Sequence, residues 1–148
     1  MVLFTSFAPL CGGGGDSGEG AGWARSIAES PVVGSPAKQV LIQVAIGDQQ
    51  VTTLGAHVGA RALDARLIGT PSREVWGLET AKSGWEGSAL VEFDYDLEEP
   101  YTNVPAEEGS DPHESPRRER AGQDQIDTFF RTGQVVDFCE GVCGTVIQ

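Results

Sequence analysis

Basic residues are scarce in this chain. Ten Lys and Arg stand against 22 Asp and Glu in 148 residues, giving a net charge of −12. Phosphate backbones and anionic membrane surfaces are held by clustered cations, so the charge balance argues against nucleic acid and charged lipid as partners. No apolar run is long enough to form a transmembrane helix. Cysteine is limited to Cys11, Cys139 and Cys143, and histidine to His57 and His113. The C-x3-C of "DFCEGVCG" has no C-x2-C partner pair and no spaced histidine pair, which argues against a structural zinc site. No D-x-D-x-D-G string is present, so the acidic stretch "DYDLEEPYTNVPAEEGSD" reads as a solvated loop rather than a calcium site. No internal repeat is visible.

What remains is enough for one domain with a core, since the apolar fraction is 39%. Residues 1–21 form a Gly-rich leader or tether, expected to be disordered. "AGWARSIAES" reads as a short helix ended by Pro31 and Gly34. "VLIQVAIGD" is a nearly continuous apolar run, interrupted by Gln43. That pattern predicts a parallel strand covered on both faces. Thr52 or Thr53 is suited to cap the following helix, whose apolar face is expected at Leu54, Val58 and Ala62. "REVWGLE" and "GSALVEFDYDL" are read as strands. A helix is predicted from Ser115 or Pro116 to about Thr132, with an apolar patch at Ile126, Phe129 and Phe130 and a stop at Gly133. The alternation predicts an α/β fold with a mainly parallel sheet.

Active groups in open parallel sheets sit beyond the carboxyl ends of strands. Asp48 directly follows the first strong strand, after a Gly47 that lets the chain turn sharply. His113 lies between the second strong strand and the last helix. If the two strands are neighbours, both side chains emerge at one edge. A carboxylate on one imidazole nitrogen then fixes the tautomer, and the other nitrogen is free to take a proton from a nucleophile. The alternatives are a turn-forming Asp48 and a merely polar His113. His57, on a presumed helix beside an apolar stripe, is read as structural.

"PAKQVLIQVAIGDQQVTTLGAHVGARAL" and "ALVEFDYDL…GSDPHESPRRERAGQDQIDTFFRTG" resemble the C-terminal part of an α/β-hydrolase, in particular the large exported bacterial lipase/esterase-like members. In that family the acid follows a late strand in a G-D-x-x-V pattern, here Gly47 to Val51. Its histidine precedes the final helix, as His113 does. The resemblance covers about residues 22–140 and implies ester or lipid hydrolysis, with Asp48 and His113 as catalytic acid and base and no cofactor. The chain departs from the family in having no G-x-S-x-G elbow. "GGDSGEG" resembles the G-D-S-G around the nucleophile of trypsin-like proteases, but Ser17 precedes an α/β pattern and comes first in the triad order. It is rejected as a nucleophile.

The expected organisation is a leader at 1–21, an α/β-hydrolase-like segment at 22–138 and a Cys-containing tail at 139–148. The expected function is that of a C-terminal hydrolase fragment that is inactive alone. Its expected partner is a missing N-terminal half or a second copy, because a late-sheet fragment leaves an edge of its apolar strand open. The alternative is a non-enzymatic exported or lipid-anchored acidic domain, since "MVLFTSFAPLCGGGGDSGEG" resembles a bacterial lipoprotein leader. Leu10 before Cys11, and the lack of a preceding Lys or Arg, depart from that pattern. An intracellular interaction module is a third reading. Cys139–Cys143 is read as a disulfide of an exported or periplasmic protein, against a pair of free thiols.

Overall fold

A computed structural model of the chain describes residues 2–4, 24, 26–29, 31, 33–97 and 111–144. The Gly-rich tract, Cys11, Ser17 and most of the acidic loop lie outside the described residues. The strands are β1 (Val2–Phe4), β2 (Val40–Ala45), β3 (Arg66–Ile68), β4 (Thr80–Ala81), β5 (Trp85–Glu86), β6 (Ala89–Phe93) and β7 (Gln134–Val135). The helices are α1 (Thr53–Ala62), α2 (Ser115–Arg118) and α3 (Arg120–Thr132); residues 26–28 are helical as well. The main sheet has the order β1-β2-β6-β3-β4, and every pairing in it is parallel. β5 and β7 form a separate antiparallel pair. No helix among the described residues is long and apolar enough to cross a membrane.

The predicted α/β architecture is therefore present, and its two strongest strands are neighbours. β2 and β6 pair from Leu41↔Ala89 to Ala45↔Phe93. Both are buried along their whole length, because alternate side chains feed two cores. Val40, Ile42, Val44 and Leu90 pack with Ala56 and Ala60 of α1 on one face. Leu41, Ala45, Val91 and Phe93 pack with Phe129 of α3 on the other. Gln43 points into the second core. Its Nε2 donates to Gly122 O (3.0 Å) and to Gln125 Oε1 (2.8 Å), which pins α3 onto β2. The edge of β2 away from β6, expected to be open, is paired by β1.

Three local expectations change. Leu54 is 68% exposed and Val58 is exposed too. The buried face of α1 is instead Thr53, Gly55, Ala56, Gly59 and Ala60, small residues that let the helix lie close on the sheet. "REVWGLE" is irregular, and the real strands nearby are the short β3 and β4. The last helix is two segments, broken at Glu119, whose backbone is extended (φ −77°, ψ 144°). Its end is as expected: Gly133 takes the left-handed conformation (φ 79°), and its N–H closes on Phe129 O. Gly122 lies so close to α2 that a Cβ there would sit 2.0 Å from Pro116 O.

Candidate active site

β2 is followed by a tight turn. Ile46 N–H still donates to Phe93 O (2.8 Å), and Gly47 then adopts φ 86°, a conformation that strains any residue with a side chain. The turn delivers Asp48 to the carboxyl edge of the sheet, where it is 4% exposed. A buried carboxylate needs hydrogen bonds to replace lost water. Asp48 Oδ1 accepts from the backbone amides of Gln50 (2.8 Å) and Val51 (2.9 Å). This Asx turn fixes the carboxylate's rotation and leads into Thr52, whose hydroxyl caps α1 by accepting from Gly55 N–H (3.3 Å).

His113 arrives from the opposite side of the same edge, after β6. Pro112 before it is fully buried, and Pro112 O accepts from Ser115 N–H to start α2. The loop is braced by Asp111. Its Oδ1 accepts from His113 N–H (3.0 Å), and its Oδ2 accepts from Gln50 Nε2 (2.6 Å). The imidazole, with 13% side-chain exposure, places Nδ1 2.8 Å from Asp48 Oδ2. An ionised carboxylate can only accept, so Nδ1 carries the proton and Nε2 presents a lone pair. That is the arrangement of an oriented general base. The two site residues expected from sequence are thus brought into contact. Asp111 and Gln50 were missed; the signal for Asp111 was Asp two residues before His, a spacing that forms Asx turns.

Among the described residues no hydroxyl or thiol hydrogen-bonds His113 Nε2, and Ser17 lies outside them. His57 was expected beside an apolar stripe. It instead places Nε2 2.7 Å from Oε1 of Glu92, a buried carboxylate on β6. Arg73 Nη2 lies 3.8 Å from the same oxygen. Glu92 Oε2 is buried and has no hydrogen bond among the described residues. The pair is structural in position, bridging α1 to the central sheet, and its inward glutamate was not anticipated.

Just beyond β6, burial pushes the Tyr95 phenol well above the ordinary tyrosine range, and the Glu119 carboxylate adds to that. Among the described residues, the Tyr95 hydroxyl and Glu119 Oε1 nonetheless have no hydrogen bond of good geometry. The basic cluster at 116–120 pairs locally: Arg117 and Arg118 with Glu114, and Arg120 with Asp124. These exposed pairs add little stability. Cys139 and Cys143 form the expected disulfide. Cys143 bridges to Phe93, and its carbonyl accepts from Asp94 N–H (2.8 Å). The disulfide loop thereby extends the sheet beside the strand that leads to His113. The chain matches no protein-family model, no curated protein and no solved structure.

Proposed function

We propose that this chain carries the acid and the base of a serine-hydrolase triad acting on carboxylic esters or lipids, as the C-terminal part of an α/β-hydrolase-like enzyme. The observation that carries this reading is the His113 Nδ1–Asp48 Oδ2 contact of 2.8 Å, made at the carboxyl ends of adjacent parallel strands. The nucleophilic serine would come from a strand–elbow–helix half that this chain does not contain, joined to it in a longer polypeptide or docked as a partner. His113 Nε2 takes the serine proton as the hydroxyl attacks the ester carbonyl, and Asp48 stabilises the imidazolium. The same proton then goes to the departing alkoxide. A water deprotonated by Nε2 releases the acyl group in the second half-reaction. By itself the chain is not a catalyst.

The test uses p-nitrophenyl butyrate and a fluorophosphonate probe. The chain alone is expected to give no turnover above buffer and no probe-labelled serine. Joined to a half bearing a strand–G-x-S-x-G–helix elbow, it is expected to turn over the ester. Replacing His113 or Asp48 by Ala then lowers kcat by about 10³-fold or more. Turnover by the isolated chain that disappears in His113→Ala overturns the claim of inactivity. A joined enzyme indifferent to His113→Ala overturns the assigned base.

A second reading, a non-enzymatic exported domain, is favoured by the Cys139–Cys143 disulfide, since such bonds persist in oxidising compartments. A lipid adduct on Cys11 in the mass spectrum, together with an unlabelled and inactive joined protein, distinguishes it.

A further inference from the structure

The disulfide loop holds a third chemical group. The carboxylate of Asp137 and the sulfurs of Cys139 and Cys143 all lie within 4.8 Å of one another. Asp137 is already oriented. Its backbone N–H donates to Ser83 Oγ (2.9 Å), and its Oδ1 accepts from Cys139 N–H (2.9 Å). Gly69 lies against the carboxylate, where an added Cβ would come within 3.7 Å of its atoms. Oδ2 has no hydrogen bond among the described residues, so one oxygen is anchored and the other is available. This is the way ligating carboxylates are usually held by neighbouring groups.

We propose that Asp137, Cys139 and Cys143 form a redox-gated site for a thiophilic divalent cation, zinc in the first instance. Oxidised, the two sulfurs are bonded to each other and cannot ligate. A dithiol reductant opens the site. Its thiolate attacks Sγ of Cys139, the more accessible sulfur, because Cys143 is buried. The S–S bond breaks and Cys143 leaves as thiolate. The reductant's second thiol then resolves the mixed disulfide, so the reductant becomes a disulfide and the protein gains two thiols. Zn²⁺ displaces the two thiol protons to solvent and binds S, S and Oδ2.

Tetrahedral zinc at ordinary Zn–S lengths needs its two sulfurs roughly 3.8 Å apart. The 139–143 loop can open to that spacing around Gly141, which already has a positive φ of 109°. Three protein ligands leave a fourth position for water. By sequence the C-x3-C motif is unsuited to zinc, because no second pair of ligands is visible. The turn that ends β7 brings in the missing oxygen.

The test is a Co²⁺ titration of the full-length chain carrying Cys11→Ser, reduced with a phosphine and handled without oxygen. The reduced protein is expected to show the thiolate-to-cobalt charge-transfer absorption at one equivalent, displaced by Zn²⁺. The air-oxidised protein is expected to show none. Asp137→Asn keeps the Oδ1 contact and is expected to weaken Co²⁺ binding by about tenfold or more. Both the zinc-loaded and the oxidised protein are expected to melt above the reduced, metal-free form, because either closure holds Cys143 against Asp94. Absence of the charge-transfer band, equal binding by the oxidised protein, or unchanged affinity in Asp137→Asn each overturns the proposal.

Discussion

Asp48→Ala removes one carboxylate and leaves three donors without their acceptor: Gln50 N–H, Val51 N–H and His113 Nδ1. Val51 is buried, so its amide has little access to replacement water. Hydrogen bonds to charged acceptors contribute about 1.5–3 kcal/mol each, and partial rehydration of Gln50 recovers some of that, so the loss is about 3–5 kcal/mol. That is a large share of the ~5–15 kcal/mol typical of a domain. Asp48→Asn is the informative companion. Its Oδ1 still accepts from both amides, but its NH₂ now faces His113 Nδ1. Weaker neutral bonds cost about 1–2 kcal/mol, and the imidazole must move its proton to Nε2. Urea melts followed by circular dichroism give both energies at constant m. Long-range ¹H–¹⁵N spectra of the His113 ring give the tautomer. A cost below about 1 kcal/mol for Asp48→Ala would refute the energetic role assigned to this carboxylate. So would an unchanged His113 tautomer in Asp48→Asn, because Nδ1 would then not depend on a carboxylate acceptor.

Gly122→Ala places a methyl 2.0 Å from Pro116 O, backbone that cannot rotate away. α2 and α3 must separate, and the urea midpoint is expected to fall by the equivalent of about 3 kcal/mol, although Ala is otherwise the better helix former. A neutral substitution would show that the two helices are not held in this contact. Tyr95→Phe removes a buried hydroxyl that has no hydrogen bond of good geometry among the described residues, so its thermal stability at pH 7 is expected to match or exceed that of the parent. Above the ordinary tyrosine range the unfolded chain loses a proton that the folded chain keeps. Parental stability attributable to Tyr95 is therefore full below about pH 10 and falls by about 1.4 kcal/mol per pH unit above it. A parent-minus-Tyr95→Phe difference that stays flat from pH 9 to 11 contradicts this.

The parts of the fold legible in the sequence were those in which one residue type has one physical use. A continuous run of branched apolar residues is hard to place except in a doubly covered strand, and β2 is that strand. Gly133 ends a helix because only glycine enters the left-handed region without cost. Asp48 and His113 were legible because the loops leaving neighbouring parallel strands gather at one edge of the sheet. The face of α1 was not, because a hydrophobic stripe carries no information about size. Where a helix lies close on a sheet, glycine and alanine make the contact, and Leu54 and Val58 are turned outward. β3 was hidden because three residues between a helix and a glycine show no periodicity. Glu92 resembled the polar half of an alternating strand, and its long-range neighbours, His57 across the α1 interface and Arg73, account for its burial. Asp111 lies two residues from His113, but its task, holding two loops at once, depends on a long-range partner.

The position of β6 has a consequence for synthesis. It lies between β2 and β3 in space, yet comes after both along the chain. A ribosome making this protein releases two apolar strands with a vacant slot between them. At translation rates of about 5–20 residues per second, the slot stays empty for roughly 1–5 s between Ile68 and Phe93. During that interval both inner edges lack the strand that pairs them in the finished sheet. The Asp48 loop must also wait, since its partner His113 is made 65 residues later. The Asp48–His113 contact is among the last features to form, so a ribosome-stalled series of lengths should acquire protease resistance only after residues beyond β6 have emerged.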